Sequence, residues 1–442
     1  MNAKPYLYAG SLIGALAVGS GLWTAGQAAP PSKPKIPVLR VDSNWPKPLP
    51  DSHSPLTKAA YKDMKSTATG DYMPWVTGEV AGTCVDSQDH VFTVNRGNLV
   101  SPEGATAPAP IHPITAVPSP MVIEFDQEGN VVNAWDAATS TGLVNQAQIH
   151  GCFVDYQDNI WIGGNGDGIV TKYTHKGTLL LQIGTQGVCD WPANGNKCGN
   201  SGADPNANKS TSLLNEPANV WVDPNPDPKT GQRGSVYIAD GYGNHRVVVF
   251  SATGQYLRQW GGVAGVVDNP QTDSRGLFAS GDGGHPHCVV GGNDNLIYVC
   301  DRADDRIEVF DKVGNLQRII NVLPGTGQTL GIGGAAGLGT AGSAWDLRFT
   351  NDAFQTYMFE VDGGNEILHT MLRAGPDTDS IVGGIGQPGH QAGQFTFLHS
   401  NTVDSKGNVY TGETINGRRI QKFVHVECNN GNGRGNGQGN CS

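Results

Sequence analysis

Along most of the chain, short apolar runs alternate with clusters of Asp, Asn and Gly. The stretches "GTCVDSQDHVFTVNRG", "GCFVDYQDNIWIGGNG", "NVWVDPNPDPKTGQRGSVYIADGYGNHRVVVF" and "SNTVDSKGNVYTGETINGRRIQKF" share one order. Each has an apolar strand, a polar turn, a second alternating strand, another turn and a third strand. With the Val of each Val-Asp pair as anchor, units start at Val85, Val154, Val222 and Val403. "GGHPHCVVGGNDNLIYVCDRADDRIEVF" adds a degenerate unit at Gly291, and "AWDLRFTNDAFQTYMFEVDGG" adds another near Phe349. The anchors recur every 54 to 69 residues or so (about 50 is usual for the longer repeats). A four-stranded meander cannot bury both faces alone, so neighbouring units must stack around an axis. The pattern predicts an all-β chain folded as a six-bladed β-propeller; a pair of β-sandwiches explains the recurrence less well.

The rest of the chain divides around this body. Residues 1–28 read as a signal peptide, with Lys4, an apolar stretch from Tyr6 to Trp23 and small residues at Gly26 and Ala28. An uncleaved anchor is the alternative, because the apolar run is nearly long enough to span a bilayer. Residues 29–75 form a Pro-rich extended lead-in, residues 76–426 hold the propeller, and residues 427–442 form a Gly/Asn-rich tail. How the ring closes is left open; "PVLRV" in the lead-in is a candidate strand too short to decide.

Composition supports the strand reading. The 442 residues include 62 Gly and 27 Pro with only 16% charged residues, which suits tight turns better than exposed helix faces. A net charge of −11 without a Lys/Arg cluster excludes a nucleic-acid surface, which needs a concentrated basic field. The leader predicts a secreted or periplasmic protein with no stable membrane insertion after cleavage, and there the eight cysteines are free to pair. Cys189 and Cys198 share one loop, and Cys428 and Cys441 bracket the tail, so both pairs read as local staples. Cys288 and Cys300 fall opposite each other if their hairpin turns at Asp294; a cross-strand disulfide and two buried thiols are both open.

Counting back four positions from each anchor gives Ala81, His150, Ala218, His287, Trp345 and His399. Histidine stands in every second unit. Alternate blades of six are related by a turn of about 120°, so the three imidazoles would converge if this position begins the inner strand. Three neutral nitrogens with a fourth place open match a catalytic Zn2+ site, and imidazole also suits another divalent metal. His285, two residues from His287, would point to the other side of a strand and is not expected to be a ligand. Tyr242, Arg302 and Arg96 recur in turns at the same end. Arginine can hold a carboxylate with paired hydrogen bonds, and a phenol can move a proton once a metal or cation lowers its pKa. Taken singly, each of these three could equally be a turn residue or a salt bridge between blades.

With these residues in place, the chain resembles peptidyl-α-hydroxyglycine α-amidating lyase, within the wider group of NHL-repeat propellers. The resemblance runs from about residue 76 to 423, through "HGCFVDYQDNIWI", "ADGYGNHRVVVFSATGQYLRQWG", "PHCVVGGNDNLIYVCDR" and "FLHSNTVDSKGNVYTGE". It implies zinc held at His150, His287 and His399, with Tyr242, Arg96 and Arg302 as catalytic residues. It also implies cleavage of a carbinolamide at a peptide C-terminus to an amide and glyoxylate. Two positions depart from the family. Ser400 stands where the family has an acidic calcium ligand, which puts a structural Ca2+ in doubt, and Asn215 and Gly243 replace a disulfide around the tyrosine loop.

Two other functions compete. One is a different metal-dependent hydrolase on the same scaffold; gluconolactonase-like propellers use carboxylate and Asn ligands around calcium, and the three histidines disfavour that version. The other is a non-enzymatic exported binding protein with a protein partner, for which the histidines would be dispensable. The enzymatic readings take a small molecule or a peptide C-terminus as substrate.

Overall fold

The computed structural model describes residues 35–60, 64–66, 69–97, 116–191, 195, 197–199, 207–262, 277–278, 285–326, 342–375 and 380–426. The expected signal peptide, the tail and the Cys428/Cys441 pair lie outside the described residues. From Ile36 onward the chain forms one compact unit.

Six four-stranded antiparallel sheets make six propeller blades. Blade 1 uses Val80–Val85, Val91–Asn95, Val122–Phe125 and Val131–Trp135. The inner strands of blades 2 to 6 are Ile149–Val154, Pro217–Val222, Cys288–Gly291, Ala344–Phe349 and Leu398–Val403. In blades 1 to 5 the strands follow one another outward in chain order, the sequential pairing that tight Asp/Asn/Gly turns permit. The second and third strands are buried on both faces, whereas outer strands such as Val131–Trp135 and Ile381–Ile385 are half exposed. Apolar residues of neighbouring blades fill the space between sheets; Cys152, Ile160 and Ile162 of blade 2, for example, pack on Phe92, Val94 and Val122 of blade 1.

The lead-in closes the ring. Val38–Asp42 pairs antiparallel with Ile420–Val426 and completes blade 6, whose other strands come from the far end of the chain. Trp45 then wedges between blades 1 and 6, with ring centroids 5.5 Å from Phe125 and 4.8 Å from Tyr410. This short apolar run becomes a strand because blade 6 would otherwise expose a row of unpaired backbone groups.

Three disulfides lie among the described residues. Cys288–Cys300 is the cross-strand pair, in register on facing strands, and Cys189–Cys198 staples its loop. Cys84–Cys152 bolts the inner strands of blades 1 and 2 together across 68 residues of chain, a link the sequence pattern did not expose. Disulfides of this kind persist in oxidising compartments. Among the described residues, no helix is long and apolar enough to cross a membrane.

Candidate metal centre and substrate site

Five of the six inner strands carry a local defect that shapes the site; in blade 4, His287 precedes an unbroken ladder and its backbone N–H donates to the Cys300 carbonyl at 2.8 Å. In blades 1, 3, 5 and 6 the ladder skips Ala81, Ala218, Trp345 and His399, and in blade 2 it skips His150 and Gly151 against one opposing residue. These are β-bulges, which leave one residue out of the ladder and re-aim it. Here the extra residue is the one that faces the axis.

His150, His287 and His399 are brought together there. One ring nitrogen of each lies within 4.8 Å of one from each of the others, and the ring centroids are 4.7 to 5.1 Å apart. The bulge residues of the intervening blades complete the arrangement. His150 Nδ1 bonds the carbonyl of Ala218 at 2.7 Å, His287 Nδ1 that of Trp345 at 2.6 Å and His399 Nδ1 that of Ala81 at 2.8 Å. A carbonyl only accepts, so each Nδ1 carries the hydrogen and each Nε2 keeps its lone pair for the axis. This is the outer-shell hydrogen bond that metal-ligating histidines use to fix ring and tautomer.

The electrostatics agree. Burial holds the His150 and His287 imidazoles well below the ordinary range, helped by neighbouring histidines and by Arg96 and Arg302 respectively. Burial, then Arg96 and Arg302, bring His399 down to about 3. All three are therefore neutral donors at physiological pH, as a divalent ion requires. The donor set fits zinc or a similar ion, with three imidazoles and no fourth His, Cys, Asp or Glu joining them among the described residues.

Tyr242, in the turn after the second strand of blade 3, puts its hydroxyl 3.2 Å from His150 Nε2 and 3.1 Å from His287 Nε2. Asn215 and Gly243, which stand in place of the family's disulfide, still hold this turn. The backbone N–H of Gly243 donates to the Asn215 carbonyl at 3.0 Å, and a Cβ on Gly243 would strike the Asn215 side chain at 2.2 Å.

Arg96 and Arg302 follow the second strands of blades 1 and 4, equivalent positions facing each other across a six-bladed ring. Their states differ. Arg96 is paired with Glu79 at 2.8 Å and donates to the Ile149 carbonyl at 3.0 Å. Arg302 is buried, donates to the Tyr242 hydroxyl at 3.3 Å and lies 4.4 Å over the Trp345 ring, and among the described residues its Nε has no hydrogen-bond partner. Among the described residues no carboxylate pairs with it, and burial depresses its pKa even though Tyr242 opposes that shift.

His285 is off the axis, its ring stacked 6.4 Å from His245. Ser400 accepts a hydrogen bond from the Thr83 hydroxyl at 3.4 Å, so hydroxyls stand where the family's calcium acid would be. Register counting named Trp345 without giving it a role; it both orients His287 and carries Arg302. Glu79 was missed, since an acid just before a strand has no distinguishing signal. Beyond the histidines the axial cavity is lined by Asn219 and by the Asp346–Arg348 pair, joined at 2.7 Å.

No family model matches the chain. It is 25% identical to human NHL repeat-containing protein 3 over 332 residues, covering 69% of this chain and 73% of that protein, and 26% identical to the mouse protein over the same length. Among solved structures, it is similar to selenomethionine-substituted virginiamycin B lyase from Staphylococcus aureus, with a TM-score of 0.42, 12% identity, and 79% and 84% of the two chains covered. A streptogramin B lyase structure gives a TM-score of 0.43, 13% identity, and 79% and 94% coverage. At these scores the superpositions carry nothing about chemistry. The chain is a six-bladed β-propeller with NHL-repeat relatives.

Proposed function

We propose that the protein is a metal-dependent lyase acting on a carbinolamide of the peptidyl-α-hydroxyglycine type, R–CO–NH–CH(OH)–COO−, and releasing the amide and glyoxylate. The observation that carries this reading is the buried Arg302 guanidinium, without a carboxylate partner among the described residues, beside three converging imidazole Nε2 atoms and a tyrosine hydroxyl. A buried cation of this kind costs free energy unless an anion completes it, and a substrate carboxylate does so with paired hydrogen bonds.

His150, His287 and His399 would hold a zinc or similar ion, which supplies Lewis acidity that makes a bound hydroxyl more acidic. Arg302 fixes the carboxylate, and Arg96, its charge shared with Glu79, faces it from the opposite blade. Tyr242, entering the step as the phenolate, takes the hydroxyl proton as the C–O bond becomes C=O and the C–N bond breaks, then returns that proton to the departing amide nitrogen. Atoms and charge balance with no redox partner. Trp345 keeps the guanidinium stacked, and the buried site limits competing water. The disulfides support the further proposal that this chemistry is done outside the cytoplasm, on a small molecule or peptide C-terminus.

The test is glyoxylate release from α-hydroxyhippurate by zinc-loaded protein. Turnover is expected, and Arg302→Ala should lose about 10- to 100-fold in kcat/KM, the worth of hydrogen bonds to a charged group. Absence of glyoxylate from zinc-loaded wild type overturns the lyase reading and favours binding or another metal-dependent reaction.

A further inference from the structure

A second group of potential ligands lies between blades 1 and 2, at the end of the inner strand away from the axial histidines. Asp86, His90, Glu124 and His175 each place one donor atom within 4.8 Å of the others. His90 Nδ1 is 2.7 Å and His175 Nε2 is 2.9 Å from Glu124 Oε1, and His175 Nε2 is 3.5 Å from Asp86 Oδ2.

Comparison among blades shows what is unusual here. The aspartate after the inner strand recurs in blades 1, 2, 3 and 6; in blade 6, Asp404 Oδ2 accepts from Asn408 at 2.7 Å and from the Tyr410 hydroxyl at 3.0 Å, and in blades 2 and 3 a lysine answers the charge. In blade 2, Asp155 receives the Trp161 indole N–H at 2.9 Å and the Lys172 ammonium at 3.0 Å. In blade 3, Asp223 is met by Lys312 of blade 4 at 2.6 Å. In blade 1 each of these partners is replaced. Phe92 sits at the register of Trp161 and cannot donate; Glu124 sits at the register of Lys172 and adds a second carboxylate. His175 occupies the turn position of Lys312. Asp86 Oδ2 is buried, with no hydrogen-bond partner among the described residues, and points into the group.

The donors are also held in place. Asp86 Oδ1 accepts the backbone N–H of Gln88 at 2.9 Å and of His90 at 2.8 Å. Glu124 Oε2 accepts from Asn133 at 3.0 Å, and the His175 ring packs edge-on to Phe92 at 4.9 Å. Around a tetrahedral ion with bonds of about 2.0 to 2.1 Å, donors sit roughly 3.3 Å apart; three of the spacings here are 2.7, 2.9 and 3.5 Å, and all lie within 4.8 Å.

We propose that Asp86, His90, Glu124 and His175 bind a structural zinc ion that clamps blade 1 to blade 2. Four protein donors leave no place for substrate, so the site is closed, in contrast to the axial one. The ion would neutralise two facing carboxylates at a position where blades 2 and 3 use lysine. The bond acts beside Cys84–Cys152, at the same blade boundary.

The experiment starts from full-length protein carrying His150→Ala and His287→Ala, which disables the axial site, and uses zinc alone as probe after chelator treatment. Calorimetric titration should show one saturable equivalent, and zinc should raise the thermal midpoint. Adding Glu124→Gln or His175→Gln should weaken binding at least 100-fold and remove the thermal shift. His90→Gln, at a partly exposed turn where folding is not at stake, should weaken it at least 10-fold. Cobalt(II) should give the intense visible band of a four-coordinate ion. No saturable zinc uptake by the axial double variant, or uptake unchanged in the three ligand variants, overturns the proposal and leaves the four groups as an ion-pair network.

Discussion

Arg302→Met is expected to make the protein more stable while lowering the proposed glyoxylate release about 10- to 100-fold. The guanidinium is buried, has no carboxylate partner among the described residues, and sits close to groups that would hold a second cation. Its favourable contacts among the described residues are one hydrogen bond to Tyr242 at 3.3 Å, the stack on Trp345 at 4.4 Å and a longer approach of 5.6 Å to the Tyr242 ring. A hydrogen bond from a charged group is worth about 1.5 to 3 kcal/mol, and a desolvated cation–π contact about 2 kcal/mol. Methionine keeps much of the volume and recovers about 0.3 to 1.5 kcal/mol by sulfur–aromatic contact. Against that loss stands the penalty of a desolvated ion, which remains several kcal/mol in real proteins. The net expectation is a gain of about 1 to 2 kcal/mol, read as a higher urea midpoint with disulfides intact. The gain should be larger in zinc-loaded protein, where two like charges are neighbours. Glyoxylate at 100 times its Kd should stabilise wild type by about 2.7 kcal/mol and leave the variant unmoved. If Arg302→Met instead destabilises by 1 kcal/mol or more in both metal states (about a fivefold shift in the folding equilibrium), the guanidinium is a satisfied structural group and the anion-site reasoning is wrong.

Other perturbations test other parts of the molecule. His287→Ala should remove one equivalent of zinc in elemental analysis, with the clamp between blades 1 and 2 still loaded; retention of both equivalents would refute the axial assignment. Tyr242→Phe should lower kcat by about 10²- to 10⁴-fold while zinc content is unchanged, the usual worth of a positioned acid–base group. Replacing Cys84 and Cys152 by Ser should cost about 4 kcal/mol in chemical denaturation, because the crosslink closes a loop with a sequence separation of 68. The Asp227 carboxyl is raised by burial but brought down to about 2 overall by Arg258 and by backbone N–H groups of Lys229 and Thr230. Its folded pKa is depressed, so its contribution is present above about pH 4 and lost as the pH falls toward 2. Asp227→Asn should flatten that acid limb of the stability curve.

The repeated alternation, the Asp/Asn/Gly turns and the spacing of the Val-Asp anchors were enough to determine a six-bladed propeller. The same register picked out His150, His287 and His399, because residues at equivalent places in a repeat must take equivalent places around an axis. The facing pair Cys288 and Cys300 was legible for a related reason, since a two-residue period fixes which side chains oppose each other across a hairpin. Tertiary structure alone decided that Val38–Asp42 closes the ring, because a five-residue run becomes a strand only when a partner edge presents unpaired amides. It alone paired Cys84 with Cys152, a contact between blades that no local period encodes. It also separated two arginines at equivalent positions: Glu79 neutralises Arg96, and among the described residues no carboxylate pairs with Arg302. Partners that meet through space leave no mark on the spacing along the chain, and the charge state of a buried group depends on those partners.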